Sequence, residues 1–347
     1  MANSEKNGVK GKLFKCIQSM YERVRACVRT NNNELTEQIE CTLGVKQGDV
    51  CSPVLFSLYI NELALDVIRH GRHGVVLDAF ELFILLLADD VVLCSETVVG
   101  LQAQLNSLHR AACRLKLTVN LDKSNIIVFR KGGYLGARER WVYGDSVMPV
   151  VNVYKYLGIY FSTKLNFSAA CNDISSKAKR ALLYVIQRLR QYDNSSLNVF
   201  LKIFDTQIQA IMHYGSEVWG LEAAASKCEK VHLYALKKFL GVDSKTPNDL
   251  VYCELRRYPI TINMAINCIR YWIKLTQMEQ HRLPKRAYNT LYRLDQRGKE
   301  TWVTKVRLCL LQNGFGYAWI NQGVGNMKLF LKTVKNRLVD CRWQNVY

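Results

Sequence analysis

The chain has 347 residues, 49% of them apolar, and carries 48 Lys and Arg against 29 Asp and Glu. The resulting net charge of +19 favours a polyanionic partner, most simply nucleic acid, with an acidic membrane surface as the weaker alternative. The longest apolar run, residues 82–88, is too short for the ~20 residues of a membrane span. The cysteines are scattered singly, which does not match the spacing of a zinc site or of a disulfide framework.

The N-terminal quarter predicts two helices, a strand and a hairpin. A basic helix over residues 8–29 precedes a turn and a strand within "RTNNNELTEQIECTLG". A second helix covers 53–70, with Ser52 as its N-cap. Two apolar runs over 82–94 then predict a hairpin around an Asp-Asp pair.

The next segment predicts one helix and two strands. Residues 101–117 have the periodicity of an amphipathic helix. Strands are predicted at 125–129 and 153–161, on either side of a turn at Gly132-Gly133. The apolar stripe of the helix consists of Leu101, Leu105, Leu108, Ala112 and Leu115.

Beyond about residue 165 the pattern predicts helices only. One helix ends before Gly241, another begins with Thr246 as its cap, and a long one covers 262–281. In the first helix of this region an apolar stripe is formed by Ile174, Ala178, Leu182, Val185 and Leu189. Another face of the same helix carries Lys177, Arg180, Tyr184 and Arg188.

The Asp-Asp pair in "LLLADDVVLC" has two interpretations. Aspartate tolerates turn geometry, so the pair can be an ordinary hairpin turn. Strands that are apolar throughout are typically covered on both faces, which would place two repelling carboxylates at a partly desolvated surface. Magnesium would resolve that conflict, because it prefers hard oxygen ligands and binds phosphate at the same time. On a basic chain this favours phosphoryl transfer on nucleic acid.

Three further motifs are each weak alone. The loop "GVKQGDVCSP" (44–53) places Gln47 between glycines, either to approach a ligand closely or as a plain loop before a helix. "NLDKSN" (120–125) places Lys123 where an ammonium could reach a pyrophosphate, although most lysines are solvated. "YKYLGIYF" (154–161) predicts either an aromatic strand with a glycine bulge or a core strand.

The order of these four motifs resembles the palm of a reverse transcriptase, more narrowly that of non-LTR (LINE-type) retrotransposons. "GVKQGDVCSPVLFSLYINELALDV", "LLLADDVVLCSET", "LTVNLDKSNIIVF" and "YKYLGIYF" carry the resemblance, and "FDTQIQAIMHYGSEVWG" and "KKFLGVDSKTPNDLVYCEL" extend it loosely. The resemblance implies an α+β fold: a partial polymerase palm, with an antiparallel sheet and packed helices, over 1–165. A helical thumb-like region over 166–255 and a C-terminal helical region over 256–347 would follow.

The resemblance also implies the roles of an RNA-directed DNA polymerase site. Asp89 would be the main metal ligand and Asp90 the second one, holding Mg²⁺ in a two-metal site. Lys123 would sit near the nucleoside triphosphate. Gln47 and Gly48 would contact the template–nucleotide pair.

The remaining implied roles concern the nucleic acid. Leu157 and Gly158 would lie in the strand that positions the primer end. Lys177, Arg180 and Arg188 would contact the nucleic-acid backbone from a basic thumb. The partners would be an RNA template and a DNA primer, or an RNA/DNA duplex. The protein is expected in the nucleus or cytoplasm, neither secreted nor in a membrane.

Two departures from the family pattern bear on activity. Leu87 stands where the family usually has an aromatic residue, often tyrosine. The family has another catalytic aspartate on an earlier palm strand, and no acid upstream of the Gln-Gly loop follows an apolar strand here. We therefore expect an N-terminally truncated domain, inactive by itself. The alternatives are a non-catalytic basic nucleic-acid-binding protein or an unrelated basic α/β protein.

The C-terminal segment offers two candidate surfaces. In "GFGYAWINQGVGN" (314–326) we expect Phe315, Tyr317 and Trp319 to pack in a core rather than form a docking surface. A predicted helix carries four basic residues that either meet nucleic acid or form a solvated face, namely Lys328, Lys332, Lys335 and Arg337.

Overall fold

The computed structural model of the chain describes residues 9–41, 44–71, 73–130, 132–189 and 196–344. Its architecture is α+β, with short antiparallel strand pairs and many helices, as the sequence predicts. Within those ranges, no helix combines the length and the hydropathy that a membrane span requires. The chain forms two compact units, of which the second contains Leu77–Phe80, Asn125–Tyr134 and the chain from Val150 onward, and the first contains the rest.

Up to residue 149 the strands are short, and two of the helices have 19 and 17 residues. The helices are α1 (Gly11–Tyr21), α2 (Ser52–His70) and α3 (Val98–Arg114), with a 3₁₀ turn at Leu121–Lys123. The strands are β1 (Arg25–Ala26), β2 (Ile39–Glu40), β3 (Val75–Leu77), β4 (Phe80–Leu82), β5 (Ile84–Leu87), β6 (Asp90–Leu93), β7 (Val142–Tyr143) and β8 (Ser146–Val147). β1 pairs with β2, β5 with β6 and β7 with β8, each antiparallel.

The core of the first unit lies between α2 and α3, which pack against each other. The predicted stripe of α3 is confirmed, with Leu105, Leu108 and Ala112 buried. α2 contributes Leu63 and Val67 to the same interior. Each large aliphatic side chain buried in this way stabilises the fold by roughly 1.5–3 kcal/mol.

Two predicted elements of this part are shorter in the structure. The helix predicted over 8–29 ends at Tyr21, because the residues that follow leave the helix and pair as β1 with β2. The strand predicted at 125–129 reduces to one parallel bridge between Ile126 and Val150. Residue 8 of the predicted helix and residues 42–43 of the predicted strand segment lie outside the described residues.

The second unit is mainly helical. It begins with the antiparallel pair β9 (Val153–Tyr156) and β10 (Ile159–Ser162). The helices are α4 (Ser168–Leu189), α5 (Leu197–Ile203), α6 (Gln209–Met212), α7 (Ser216–Trp219), α8 (Ser226–Leu240), α9 (Asn248–Glu254), α10 (Ile260–Gln277), α11 (Leu283–Gln296), α12 (Trp302–Gln312), α13 (Gly316–Ile320) and α14 (Met327–Gln344). A π-helical turn, Phe204–Ile208, joins α5 to α6, and a 3₁₀ turn covers Ala223–Ala225.

The core of this unit contains several apolar clusters, two of which are large. The first is built on α4, whose predicted stripe is confirmed by the burial of Ile174, Ala178, Leu182 and Val185. The second surrounds Trp272 of α10. α8 ends where the sequence indicates, since Gly241 adopts the left-handed conformation with φ of 69°.

An ion pair of Asp205 anchors the π-helical turn to another part of the second unit. Phe204 and Ile208 are both buried, so the turn presents its apolar side to the core. Asp205 accepts two hydrogen bonds from the guanidinium of Arg257, at 2.7 and 2.9 Å. Bidentate pairs of this kind fix orientation as well as adding energy.

A partly buried carboxylate joins three helices of the second unit. Glu229 on α8 accepts hydrogen bonds from Tyr252 on α9, from His232 Nδ1 at 3.1 Å, and from the backbone N–H of Thr261 on α10 at 3.3 Å. Burial raises the pKa of Glu229, but the bonds from His232 and Tyr252 outweigh it and leave the pKa below its ordinary value.

Three C-terminal predictions need correction. Thr246 is not a cap, because α9 begins after Pro247 without a side-chain cap bond. The helix predicted over 262–281 covers Ile260–Gln277. Phe315 and Trp319 are buried as expected, but Tyr317 is 58% exposed and lies outside the core.

Candidate active site

The Asp-Asp pair straddles the end of a hairpin turn. Leu87 of β5 stands opposite Asp90 of β6, so the two-residue turn consists of Ala88 and Asp89. Only Asp89 is therefore at the tip, and Asp90 begins the returning strand, which corrects the expectation that both lie in the turn. Ala88 has φ of 51°, a left-handed conformation that costs an alanine roughly 1–2 kcal/mol.

Both carboxylates are exposed, contrary to the partly desolvated surface that the apolar runs suggested. Ile84 is the only fully buried residue of β5, and Leu87 beside the turn is 53% exposed. The cause is that β5 and β6 pair only with each other within the described chain. The hairpin therefore presents its tip to solvent.

The pair has the chemistry of a magnesium ligand set. Within the described ranges, neither Asp89 nor Asp90 has a side-chain hydrogen bond or ion pair that would compete with a cation. Carboxylate oxygens are the ligands that magnesium prefers. The described residues bring no third His, Cys, Asp or Glu into a group with them, so the pair fits part of a two-metal site.

The Gln-Gly loop before α2 is held by a small polar network. Tyr21 donates a hydrogen bond to Asp49 Oδ2 at 2.8 Å, and its hydroxyl lies 3.1 Å from Ser52 Oγ. Ser52 Oγ in turn donates to the carbonyl of Lys46 at 2.6 Å. The hydrogen bond from Tyr21 lowers the pKa of Asp49, which keeps this carboxylate ionised.

Ser52 therefore closes the loop and does not cap the helix as predicted, since the cap position belongs to Cys51. Gly48 has φ of 81°, which explains glycine at this position. The Gln47 side chain is exposed and makes no hydrogen bond within the described residues. The loop thus holds a rigid backbone and presents one amide side chain to solvent.

Tyr21 and Asp49 were not predicted as site residues from the sequence. Asp49 had a signal, because an aspartate just before a helix commonly accepts nearby backbone N–H groups, as it does from Cys51 at 3.4 Å. No sequence signal pointed to Tyr21, since it lies 28 positions away from Asp49 in the chain.

Lys123 ends the 3₁₀ turn that follows α3. The side chain of Asn120 accepts a hydrogen bond from the backbone N–H of Lys123 at 3.3 Å, which fixes the start of the turn. The Lys123 side chain is exposed and belongs to the same unit as the Asp-Asp pair. The motif "NLDK" thus forms a local structure rather than a plain loop.

Leu157 and Gly158 do not lie in a strand, contrary to prediction. They are the two-residue turn between β9 and β10, with φ of 47° and 83°. Two positive φ values match the turn type that suits the twist of a hairpin. Tyr214, another residue that was not predicted from the sequence, donates a hydrogen bond to the Leu157 carbonyl at 2.7 Å.

The basic face of α4 is partly neutralised. Lys177 forms an ion pair with Asp173 at 2.6 Å, and Lys155 contacts the same carboxylate at 3.3 Å. Arg188 Nε donates to Tyr184 at 3.1 Å, whereas Arg180 is exposed without an ion pair in the described chain. Arg180 and Arg188 are the most available cations of the predicted set.

Most of these site residues lie in a segment that is similar to known proteins. A family model described as "Reverse transcriptase (RNA-dependent DNA polymerase)" matches residues 6–161. Residues 6–161 are therefore similar to a reverse transcriptase domain. This domain contains Gln47, Gly48, Asp89, Asp90, Lys123, Leu157 and Gly158.

The relatives of the chain come from non-LTR retrotransposons. The chain is 26% identical over 252 residues to a probable RNA-directed DNA polymerase from transposon X-element of Drosophila melanogaster, covering 70% of the chain and 25% of the relative. It is 23% identical over 262 residues to a retrovirus-related Pol polyprotein from the type-1 retrotransposable element R2 of Popillia japonica, covering 72% and 40%.

A third relative is the RNA-directed DNA polymerase from mobile element jockey of Drosophila melanogaster, 25% identical over 202 residues, covering 56% of the chain and 21% of the relative. The chain thus spans between about a fifth and two fifths of the length of these relatives. The aligned lengths exceed the matched domain, so the similarity continues into the helical unit.

Proposed function

We propose that the reverse transcriptase domain supplies the Asp89 and Asp90 carboxylates to an RNA-directed nucleotidyl transfer site. The observation that supports this is the exposed Asp-Asp pair, which has no protein partner within the described chain and stands at a hairpin turn inside the matched domain. Bound magnesium would activate an attacking primer hydroxyl and stabilise the leaving phosphate oxygen. Asp89 would be the main ligand and Asp90 the second.

The neighbouring motifs would position the nucleotide and its template. Gln47 offers an amide that can donate to and accept from a base or sugar edge, on a loop that Tyr21 and Asp49 hold still. Gly48 leaves the backbone beside it open to close approach, since a Cβ there would meet nothing within 4 Å. The Lys123 ammonium would neutralise charge on the triphosphate and donate a proton to departing pyrophosphate.

The second unit would hold the nucleic acid. The Leu157-Gly158 turn would contact the primer end through its backbone, with Tyr214 keeping the turn in place. Arg180 and Arg188, with Lys177, would contact phosphates of an RNA/DNA duplex from one exposed helix face. Contacts of this kind supply affinity without reading sequence.

These 347 residues are proposed to be inactive in polymerisation by themselves. Two-metal chemistry needs carboxylates from more than one strand, and the described residues group no third ligand with Asp89 and Asp90. The same observation, with the net charge of +19, supports the second candidate function, a non-catalytic nucleic-acid-binding protein.

Primer extension on an RNA template with a DNA primer and magnesium distinguishes the two, once a strand that supplies the third carboxylate has been joined to the chain to complete the site. Asp89→Asn is compared with Asp145→Asn, which removes an exposed carboxylate from the turn between β7 and β8 of the same unit. Extension that is lost only in Asp89→Asn supports the site. Extension that survives in Asp89→Asn refutes the role of Asp89.

The binding function has its own measurement. No extension even by the completed site supports the non-catalytic candidate, provided that the logarithm of the duplex binding constant falls linearly with the logarithm of salt concentration. Binding that is independent of salt contradicts it, because contacts between the basic chain and phosphates must release counterions.

A further inference from the structure

A groove of about 380 Å³ lies in the second unit, between α10 and α14. Asn263, Ile266 and Arg270 line it from one face of α10, since residues at i, i+3 and i+7 share a helix face. Lys332 and Lys335 line it from α14, and His213 also lines it. We call it the α10–α14 groove.

Three cations line this groove and none of them has a carboxylate partner in the described chain. Arg270 donates a hydrogen bond to Asn267 at 2.8 Å, which orients the guanidinium without neutralising it. Lys335 lies 4.6 Å from the ring centroid of Tyr258, and Lys332 is exposed. No acidic residue is among the described lining residues, so the groove has a net positive charge.

Unlike several cations of the second unit, the three cations of the groove form no ion pair within the described residues. Elsewhere in the second unit, Arg257 pairs with Asp205, Lys305 with Glu222 and Arg307 with Asp295. Cations kept together without a carboxylate repel one another, so their proximity is stabilised best when an anion is bound.

The wall of the groove has polar and apolar parts, which suit a ligand larger than a simple anion. His213 Nε2 is buried and has no hydrogen-bond partner among the described residues. An unsatisfied buried polar atom costs about 1–3 kcal/mol, which a ligand hydrogen bond would recover. Burial lowers the pKa of His213, so its ring is neutral and can donate or accept. Ile266 and Leu331 add two buried apolar side chains to the wall.

We propose that the α10–α14 groove binds one nucleotide of a single-stranded nucleic acid. Its phosphate would contact Arg270 and Lys332, its base would pack against Ile266 and Leu331, and a polar group would meet His213. The volume is that of a small-ligand site. A duplex keeps its bases stacked inside and presents only a convex backbone, so it does not fit. The inference rests on the proposed function, because it takes nucleic acid as the partner.

The test compares two double variants of the full chain with equal charge. Arg270→Gln with Lys332→Gln removes two cations from the groove. Lys328→Gln with Arg337→Gln removes two exposed cations from α14 that do not line it. Fluorescence anisotropy measures binding of a short single-stranded RNA and of a blunt duplex of equal length, at several salt concentrations. Thermal melting checks that both variants fold.

We expect the groove variant to bind the single strand about tenfold more weakly than the control variant, with a salt slope lower by ~0.7 for each phosphate that the variant no longer neutralises. Duplex binding should be equal in the two variants. An equal decrease of single-strand binding in both variants overturns the groove, as does an equal decrease of duplex and single-strand binding in the groove variant.

A direct readout on the unsubstituted chain is photocrosslinking to single-stranded RNA that contains 5-iodouracil. We expect crosslinks in peptides of α10, of α14 or around His213, and crosslinks found only elsewhere overturn the inference. Duplex binding without any single-strand binding refutes the groove and leaves the proposed function standing. Binding of neither nucleic acid refutes both.

Discussion

Two hairpin turns of this chain begin with the same left-handed conformation and have different surroundings. The turn between β5 and β6 begins with Ala88 at φ of 51°, and the turn between β9 and β10 begins with Leu157 at φ of 47°. In the second, Gly158 relieves the next position, and Tyr214 holds the Leu157 carbonyl. In the first, Asp89 follows with no side-chain partner in the described chain.

The two turns differ because neighbouring side chains stabilise one of them, whereas the other leaves its carboxylates accessible to a ligand. A strained turn persists when the surrounding structure holds it, as Tyr214 does at Leu157. The Asp89 turn is held by its own short strand pair, which leaves its carboxylates open to a ligand. Groups that bind metal or substrate need that openness, so we expect substitutions at the first turn to change function and those at the second to change stability.

The largest expected effect is on catalysis by a complete site that contains Asp89. Removal of a metal ligand should lower the extension rate at least about a hundredfold, or about 3 kcal/mol of transition-state stabilisation. The free energy of unfolding should stay within about 0.5 kcal/mol, because the carboxylate is exposed. Urea denaturation of Asp89→Asn measures the second part, and a decrease in stability above about 1 kcal/mol would contradict the division between the turns.

A partly buried carboxylate should behave in the opposite way to Asp89. Glu229→Gln should lower the free energy of unfolding by about 2 kcal/mol, since a partly buried charged hydrogen-bond acceptor is removed. The pKa of Glu229 is depressed in the folded state. Its contribution is therefore present above the unfolded value of ~4.3 and is lost as pH falls through the folded pKa.

Unfolding measured from neutral pH into the acid range tests this sign. The difference in stability between the unsubstituted chain and Glu229→Gln should shrink as the pH falls. A difference that grows with falling pH would show that the carboxylate is not held in its ionised form.

Glycine and alanine exchanges at the two turns should have opposite signs. Gly158→Ala should destabilise by about 1–2 kcal/mol, because φ is 83° and the new Cβ would lie 3.1 Å from the Tyr214 ring. Ala88→Gly should be neutral or stabilise by about 0.5 kcal/mol, since relief of the left-handed strain exceeds the entropy cost of glycine. Denaturation midpoints that move in the same direction would contradict the comparison.

The smallest effect concerns the hydroxyl of Tyr214. Tyr214→Phe removes one hydrogen bond to the Leu157 carbonyl and should cost about 0.5 kcal/mol, because the ring is half exposed. Tyr317→Phe is the control, as it removes an exposed hydroxyl on α13 that makes no hydrogen bond within the described residues. Equal small decreases in both variants would mean that the Tyr214 bond does not hold the turn.

The sequence predicted the elements whose signals are local. The stripes of α3 and α4 follow from spacing along one helix, and Gly241 ends α8 through its own backbone freedom. The Leu157-Gly158 turn was missed because an apolar aromatic pattern runs through it without the Asn-Gly or Asp-Gly pair typical of such turns.

The contacts that position the candidate site were mostly not predictable. The bond from Tyr21 to Asp49 joins distant segments, and only packing brings them together. The pairing of β1 with β2, which ends the first helix early, is also nonlocal. The ion pair of Lys177 with Asp173 had a clear signal in its i,i+4 spacing, and it changes which cations of α4 remain available.

The π-helical turn at Phe204–Ile208 determines the direction, around the helix axis, of the side chains that follow it in the same helical run. Such a turn holds one more residue than an α-helical turn would. Deleting one residue there would rotate the next side chains by about 100° around the axis. Tyr214 would then lose its hydrogen bond to the hairpin turn and His213 would no longer line the groove. One residue of the π-helical turn therefore determines the positions of both side chains.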